Sequence, residues 1–448
     1  MKNYAIILAA GSGSRMKVDV PKCLHTIIKK PMIQYIVESI DNKFIDTNLL
    51  VVGENQKDKF FEVLNNKVNY VIQKQQLGTG NAVYESLSSI ENLLGYTLIV
   101  PGDLPLLNKQ ELNDFINYHK ESKNDVNILT TFMKDPTNYG RIIRENDEIV
   151  DVVEQEDVNE TQALINEVNT GIYCINTCVL VNLIESDNLP DIIKLCKQTN
   201  RKVGTYVSKH SEYYIDVNDF YTLSIVEQRI RFYTNKKHLM NGVNIISPET
   251  VTIASNVIIE SGVTIYPNTF ITGDSTVYKG ATIGPDSEVH NSIVDEDAIV
   301  RHSLITDSYV GKKTTVGPFA HLRNNTHVGN DCRIGNYVEI KNSRIGDFTK
   351  ISHLTYIGDT TCGSNVNWGC GTVTVNYDGK NKNKTIVGDN VFIGCNTNLI
   401  APLKVGNNAF IAAGSTITED VPDEAFSIAR ERQVTKEDYA RKYEYKKK

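Results

Sequence analysis

The first residues able to do chemistry sit in a glycine-rich turn. Behind the apolar run YAIILAA (Tyr4–Ala10) the chain reads GSGSRM (Gly11–Met16), with Arg15 in the turn and Lys22 shortly after it. Backbone N–H groups in such a turn can cradle an anion. The two cations suit a triphosphate reacting at its α-phosphorus, where charge develops as the bond breaks; a solvated surface accounts for them equally well. The turn is not a Walker A loop, because no GK[ST] follows, and not GxGxxG, because Met16 holds the third glycine's place. Asp103 closes TLIVPGD (Thr97–Asp103). A carboxylate there can hold Mg²⁺, which takes oxygen ligands from one or two protein groups plus phosphate, or it can cap the LPLL segment that follows. A second set of polar residues is Arg323, Lys341, His353, Tyr356 and Asn376–Tyr377. Acyl transfer from a thioester to an amine needs a base near neutral pH, which His353 in HLTYIGD can supply, although a lone histidine is more often structural. Arg323 and Lys341 would suit a phosphorylated substrate. Neither a GxSxG elbow nor HExxH is present, so hydrolase chemistry lacks support.

The elements that must hold these groups differ between the two halves. Ile253, Ile259, Ile265, Ile271, Val277, Ile283 and Val289 lie six residues apart; after a slip the grid resumes at Ile293, Ile299 and Ile305. It slips again to Val310, Val316, Leu322, Val328, Ile334 and Ile340, then to Ile345, Ile351 and Ile357, and after an interruption returns at Val387, Ile393, Leu399, Val405, Ile411 and Ile417. Six-residue periodicity with Gly, Asn and Asp between the aliphatic positions predicts a hexapeptide parallel β-helix, one short strand and one corner per repeat, aliphatic side chains inside. Eighteen residues per coil over 251–419 gives roughly nine coils. The interruption, containing YDGKNKNKT, reads as a polar loop leaving a coil. The N-terminal part instead alternates buried strands (YAIILAA, NLLVVG at Asn48–Gly53, TLIVPGD) with helices, one opening after Pro31. That pattern predicts a doubly wound, Rossmann-like α/β domain with ligands at the carboxyl ends of its strands. The segment 219–240 places Leu223, Val226, Ile230 and Tyr233 on one helical face. The expected organisation is therefore 1–218 α/β, 219–242 a linker helix, and 243–448 the β-helix with its tail.

Composition narrows the function classes. The chain has 448 residues, 47 Lys and Arg against 54 Asp and Glu, and a net charge of −7, which disfavours nucleic acid and anionic membrane as partners. No apolar run approaches the ~20 residues of a membrane span, and no signal-peptide pattern opens the chain. A cytoplasmic protein is expected. The eight cysteines form no CxxC pair, against a zinc ribbon or disulfide scaffold; Cys174 and Cys178, in IYCINTCVL, are expected to be buried thiols.

In combination, LAAGSGSRM, Pro21-Lys22, QKQQLGTGNA, GDLPLL, YGRI, VEQED and NTGIY resemble the sugar-nucleotide pyrophosphorylases. Joined to a hexapeptide β-helix, the series is most similar to the bacterial bifunctional N-acetylglucosamine-1-phosphate uridyltransferase/glucosamine-1-phosphate acetyltransferase family, over nearly the whole chain. The resemblance implies a left-handed β-helix, a homotrimer with acetyltransferase sites between subunits, and four small-molecule substrates: UTP, glucosamine 1-phosphate, N-acetylglucosamine 1-phosphate and acetyl-CoA. It implies that Leu8, Ala9, Ala10, Gly11 and Gly102 line the nucleotide site, that Arg15 and Lys22 hold phosphates, and that Gln73, Gly78 and Thr79 recognise uracil. The Gln73 amide would offer a donor and an acceptor together. Asp103 and Asn218 would bind Mg²⁺; Gly140, Glu154, Asn169 and Thr170 would hold the N-acetylated sugar. In the β-helix, His353 would be the general base, with Glu339 either orienting it or standing as a solvated strand residue. Arg323, Lys341, Tyr356 and Asn367 would bind glucosamine 1-phosphate, and Cys370, Asn376, Tyr377, Cys395, Ala413 and Arg430 acetyl-CoA. The basic tail from Arg430, net +4, reads as a solvated terminus or as a cover over the CoA phosphates. Other open readings are a single-activity sugar-1-phosphate nucleotidyltransferase with a structural or regulatory β-helix, and a non-catalytic scaffold.

The chain departs from the family pattern in places. Pro101 stands near the nucleotide, Asp216 replaces a glycine before Asn218, IESDNLPDII is shortened, and Asn324–Asn325 replace Pro-Gly. Trp368 and Cys370 replace smaller residues beside the expected CoA path.

Overall fold

A computed structural model describes residues 2–11, 13–184 and 187–442. Ser12 of the glycine-rich turn, Glu185 and Ser186 of the shortened IESDNLPDII stretch, and the end of the basic tail lie outside the described residues. The chain divides into two compact units, Met1–Ile230 and Arg231–Lys448.

In the first unit, nine strands form one sheet: β1 (Tyr4–Leu8), β2 (Thr47–Gly53), β3 (Asn69–Gln73), β4 (Tyr96–Pro101), β5 (Val126–Phe132), β6 (Arg141–Glu145), β7 (Glu148–Val153), β8 (Glu167–Asn176) and β9 (Val203–Ser208). The order is β9-β5-β8-β4-β1-β2-β3, with β6 and β7 a hairpin hung on β8. Strands β3, β2, β1 and β4 are mutually parallel and β8 runs antiparallel to β4 and β5. These strands read as continuous apolar runs because both sheet faces are covered. Ala5, Ile7, Leu50 and Val52 enter a core with helices α1 (Met32–Ser39), α2 (Lys57–Leu64) and α4 (Lys109–Ser122). Their neighbours Tyr4, Ile6, Leu49 and Val51 enter the opposite core with α3 (Thr79–Ser86), α5 (Thr177–Leu183) and α6 (Ile192–Gln198). Doubly wound packing is thus the observed architecture. Cys174 is buried as expected, but Cys178 is exposed: it falls on the outer face of α5, one residue before the buried pair Val179 and Leu180.

Helix α7 (Phe220–Met240) lies where the pattern placed it. Val226 and Ile230 are buried. In the second unit Asn235 is buried too, its Nδ2 donating to the carbonyls of Pro248 and Val251 at 2.7 and 2.8 Å. Among the described residues no helix is long and apolar enough to cross a membrane.

The second unit is a parallel β-helix. Strands pair with those one coil on, as in Thr252↔Phe270 and Phe270↔Glu288, and one of its faces carries nine strands among the described residues. That matches the coil count expected from the repeat. The interior is the aliphatic grid from Ile253 to Val289, all buried. Two grid positions are not interior. Ile293 is 37% exposed and Ile299 is half-buried, whereas Val294 and Val300 are fully buried. Coils shorten here: Val277 pairs with Val294, 17 residues on, and Val289 with Ile305, 16 residues on. A dropped corner residue moves the inward position by one. Adjacent branched residues (Ile293-Val294, Ile299-Val300) conceal that shift in the sequence. The interruption after Ile357 is also shorter than expected. Cys362, Trp368 and Thr374 continue the interior row, all buried, and only the segment between Val375 and Thr385 leaves the coil, closed by the bridge Tyr377↔Lys382. Trp368 therefore fills the prism's interior and does not border a surface path.

Candidate functional site

The parallel strands β1, β3 and β4 end at one edge of the sheet, and a cavity of about 530 Å³ opens there. Leu8, Ala9, Ala10, Gly11, Lys22, Gln73, Gly78, Thr79, Asp103, Gly140, Glu154, Asn169 and Thr170 all line it. Sequence reasoning named each of these. Its polar centre is Lys22, whose ammonium donates to Asp103 Oδ2 at 2.5 Å and to Asn218 Oδ1 at 3.1 Å. Burial alone would lower the Lys22 pKa; the Asp103 carboxylate outweighs it and raises the value, so Lys22 is charged. Asp216 accepts from Asn218 Nδ2 and lines the same cavity. Burial, and then Asp103, raise its pKa.

Three residues assigned to this site stand outside the lining. Arg15 is exposed on a short 3₁₀ turn. Gly102 lies beneath the cavity, its N–H donating to Leu8 O at 2.8 Å. Asn218 reaches the site only as an acceptor of the Lys22 ammonium. The Gln73 side chain is already engaged: its Nε2 donates to Gly78 O at 3.1 Å and Asn81 Oδ1 at 2.9 Å. Both amide hydrogens thus hold the α3 entry loop, which leaves the carbonyl, and not a donor–acceptor pair, for a base. On the sugar side, Asn169 holds Tyr173 Oη at 2.9 Å and accepts from Gly171 N at 3.0 Å. The Thr170 hydroxyl is buried on Leu129 O at 2.7 Å. Burial, then Asp157, Glu156 and Asp191, raise the Glu154 pKa.

In the β-helix, strand register assembles the second set. Arg323, Lys341 and Gly358 occupy one file across three coils; Glu339, Tyr356 and Val373 occupy the next. A Cβ on Gly358 would lie 2.5 Å from Tyr356 Oη and 2.6 Å from Asn376 Nδ2. The missing side chain leaves room for both groups on the coil that follows Lys341. Asn376 Nδ2 donates to Asp359, which also accepts from Asn342, each at 2.5 Å. Asn367 pairs with Lys350, one coil earlier. His353 stands at a corner. Backbone bonds there run from Gly371 N to Leu354 O, Asn396 N to Cys370 O and Gly414 N to Cys395 O, at 2.7–2.8 Å. Leu354, Cys370, Cys395 and Ala413 therefore stack along that corner, with His353 directly before Leu354 and Arg430 beside Gly414. Tyr377 sits exposed on the excursion. Asn324 and Asn325 both adopt positive φ, 56° and 61°, a conformation Asn tolerates in place of Pro-Gly. The expectation that Glu339 orients His353 is not met. Glu339 Oε1 accepts from Arg323 Nε and Nη2 at 2.9 and 2.6 Å, because the register places it beside Arg323 and opposite Tyr356. The group on His353 is Asn336, with Oδ1 at 2.9 Å from Nδ1.

Residues 4–223 match the nucleotidyl transferase family, 253–353 the GMPPB C-terminal domain, and 384–419 the bacterial transferase hexapeptide family. The chain is 49% identical to the bifunctional protein GlmU of Acholeplasma laidlawii, over 98% of both chains. It is 42% identical to that of Exiguobacterium sp., over 99% of this chain and 100% of the relative, and 42% identical to that of Listeria welshimeri, over 98% of both. This chain belongs to the GlmU family. The structure of the inositol-1-phosphate CTP transferase from T. maritima aligns over 46% of this chain and 85% of its own, at 20% identity and a TM-score of 0.38.

Several side chains of this GlmU-family site escaped the sequence reading. Gln76 Nε2 donates to Ala10 O at 2.5 Å, yet nothing in QKQQLGTG separates it from its neighbours. Tyr139, Tyr173, Leu189 and Pro190 line the cavity but read as ordinary core residues. Asn336 was countable: it lies one shortened coil, 17 residues, before His353.

Proposed function

We infer that the chain is a bifunctional enzyme of UDP-N-acetylglucosamine synthesis. The β-helix unit transfers acetyl from acetyl-CoA to glucosamine 1-phosphate; the α/β unit then transfers uridylyl from UTP to N-acetylglucosamine 1-phosphate, releasing pyrophosphate. The observation that carries this reading is that both constellations stand in one chain: Lys22, Asp103 and Asn218 at the strand ends, and Arg323, Lys341 and His353 on successive coils of the β-helix. It favours two activities over a nucleotidyltransferase with an inert β-helix.

In the first half-reaction the amine nitrogen bonds to the acetyl carbon as His353 takes its proton and the thiolate of CoA leaves. Arg323 and Lys341 meet the sugar phosphate, with Tyr356 and Asn367 beside it. Acetyl-CoA lies along Cys370, Cys395 and Ala413, with Asn376, Tyr377 and Arg430 completing its contacts. In the second, an oxygen of the sugar phosphate attacks the α-phosphorus of UTP. Lys22 and Arg15 balance the charge that moves onto the leaving pyrophosphate. Gly140, Glu154, Asn169 and Thr170 hold the sugar; Gln73, Gly78 and Thr79 hold the base. Among the described residues no three His, Cys, Asp or Glu side chains gather as a metal cage. Asp103 and Asn218 nevertheless converge on one cation, the Lys22 ammonium, and offer it hard oxygens. That donor set fits Mg²⁺, which takes few protein ligands when phosphates supply the rest. Mg²⁺ would be held by Asp103 and Asn218 and would neutralise triphosphate charge. The assembly we propose is a cytoplasmic homotrimer.

Metal removal tests the division of labour. In excess EDTA, pyrophosphate release from UTP and N-acetylglucosamine 1-phosphate is expected to stop and to return with Mg²⁺, while acetyl transfer continues at its original rate. Uridylyl transfer that persisted in EDTA would remove the metal from the proposal.

A further inference from the structure

A neutral imidazole has one N–H and one bare nitrogen, and only the bare nitrogen can act as a base. The hydrogen bond made by the other nitrogen decides which is which. In this chain that bond runs from His353 Nδ1 to Asn336 Oδ1 over 2.9 Å. A carbonyl oxygen can only accept, so Nδ1 carries the hydrogen and Nε2 is bare. The pair is built into the coil. Asn336 and His353 are register partners in successive nine-residue strands, Arg333–Lys341 and Lys350–Gly358. The coils touch closely here: a Cβ on Gly335 would lie 1.9 Å from Ser352 O. Thr355 Oγ1 donates to His353 O at 2.7 Å and steadies the corner from the other side. The orienter expected from the sequence is committed elsewhere, since Glu339 is held by two Arg323 nitrogens.

We propose that Asn336 is the positioning residue of the acetyltransferase site: it fixes His353 as the Nδ1–H tautomer and so presents Nε2 as the base. The proposal rests on the acetyl-transfer reading above.

The test is Asn336→Ala, with Asn336→Asp as the conservative variant that keeps an accepting oxygen. Two readouts are taken on the full-length protein: acetyl-transfer kinetics and ¹⁵N NMR of the His353 ring, assigned against His353→Gln. In the wild type the neutral ring is expected to show a protonated Nδ1 and a bare Nε2. In Asn336→Ala that tautomer should be lost or mixed and kcat should fall about 10- to 100-fold, part of the roughly 10²–10⁴ that a positioned base contributes. KM for both substrates should stay within about 2-fold. Asn336→Asp should restore the tautomer and most of kcat. An alanine variant with wild-type kcat, or with the His353 tautomer unchanged, overturns the proposal. If the wild type transfers no acetyl group, the function reading fails, while the NMR comparison still decides whether Asn336 sets the tautomer.

Discussion

Replacing His353 with alanine is expected to lower acetyl transfer by about 10²–10⁴-fold while leaving uridylyl transfer to supplied N-acetylglucosamine 1-phosphate unchanged. The magnitude is what a positioned general base contributes near neutral pH. The selectivity follows from the chain's organisation. His353 belongs to the unit 231–448, and the cavity of Lys22 and Asp103 belongs to the unit 1–230. The substitution should be mild for folding, because His353 is an exposed corner residue outside the aliphatic interior. Both rates are measured on one preparation, the first from released CoA thiol and the second from pyrophosphate. Acetyl transfer at the wild-type rate would remove His353 from the chemistry and return the β-helix to a scaffold.

Asp103→Asn is the mirror experiment. Uridylyl transfer should fall by about 10²–10³-fold, the size of losing one preorganised electrostatic contact in a site where charge moves. Acetyl transfer should not change. Asp103 has two tasks here: it anchors the Lys22 ammonium at 2.5 Å, and it is the carboxylate of the donor pair proposed for Mg²⁺. An asparagine keeps the shape and loses the charge, so both tasks suffer together. Lys22 keeps Asn218 Oδ1 at 3.1 Å and the nearby charge of Asp216, and the unit should remain folded. Steady-state pyrophosphate release against Mg²⁺ concentration reads the effect. Unaltered activity and Mg²⁺ dependence would show that the Asp103 carboxylate serves only to cap the segment that follows it.

The two units differ in how openly their sequences declare them. A β-helix interior repeats every six residues because each strand contributes one inward side chain, so its periodicity is visible in any stretch of regular coils. It fails where a corner drops a residue, as at Val294 and Val300. It fails again where the interior residue is not aliphatic, as at Cys362, Trp368 and Thr374. The α/β unit shows in its continuous apolar strands, of which β1, β3 and β4 are followed by residues that line the cavity. What stays hidden is pairing between distant side chains. Glu339 lies close enough in sequence to the His353 coil to suggest a partner, but register gives it to Arg323 and gives Asn336 to His353. Gln73 looks like a base reader, yet its amide hydrogens are spent on Gly78 and Asn81. Asp216, a departure from the expected glycine, lines the cavity and holds Asn218. In each case residue type was legible and hydrogen-bond partner was not, because the partner depends on a three-dimensional register.

One chain is expected to carry out both transfers in sequence. The direct measurement is incubation of the pure protein with glucosamine 1-phosphate, acetyl-CoA, UTP and Mg²⁺, followed by mass spectrometry of the products. UDP-N-acetylglucosamine, with CoA and pyrophosphate in equal amounts, is the expected result. Absence of that product, while supplied N-acetylglucosamine 1-phosphate is still uridylylated, would contradict it and leave a nucleotidyltransferase on a structural β-helix.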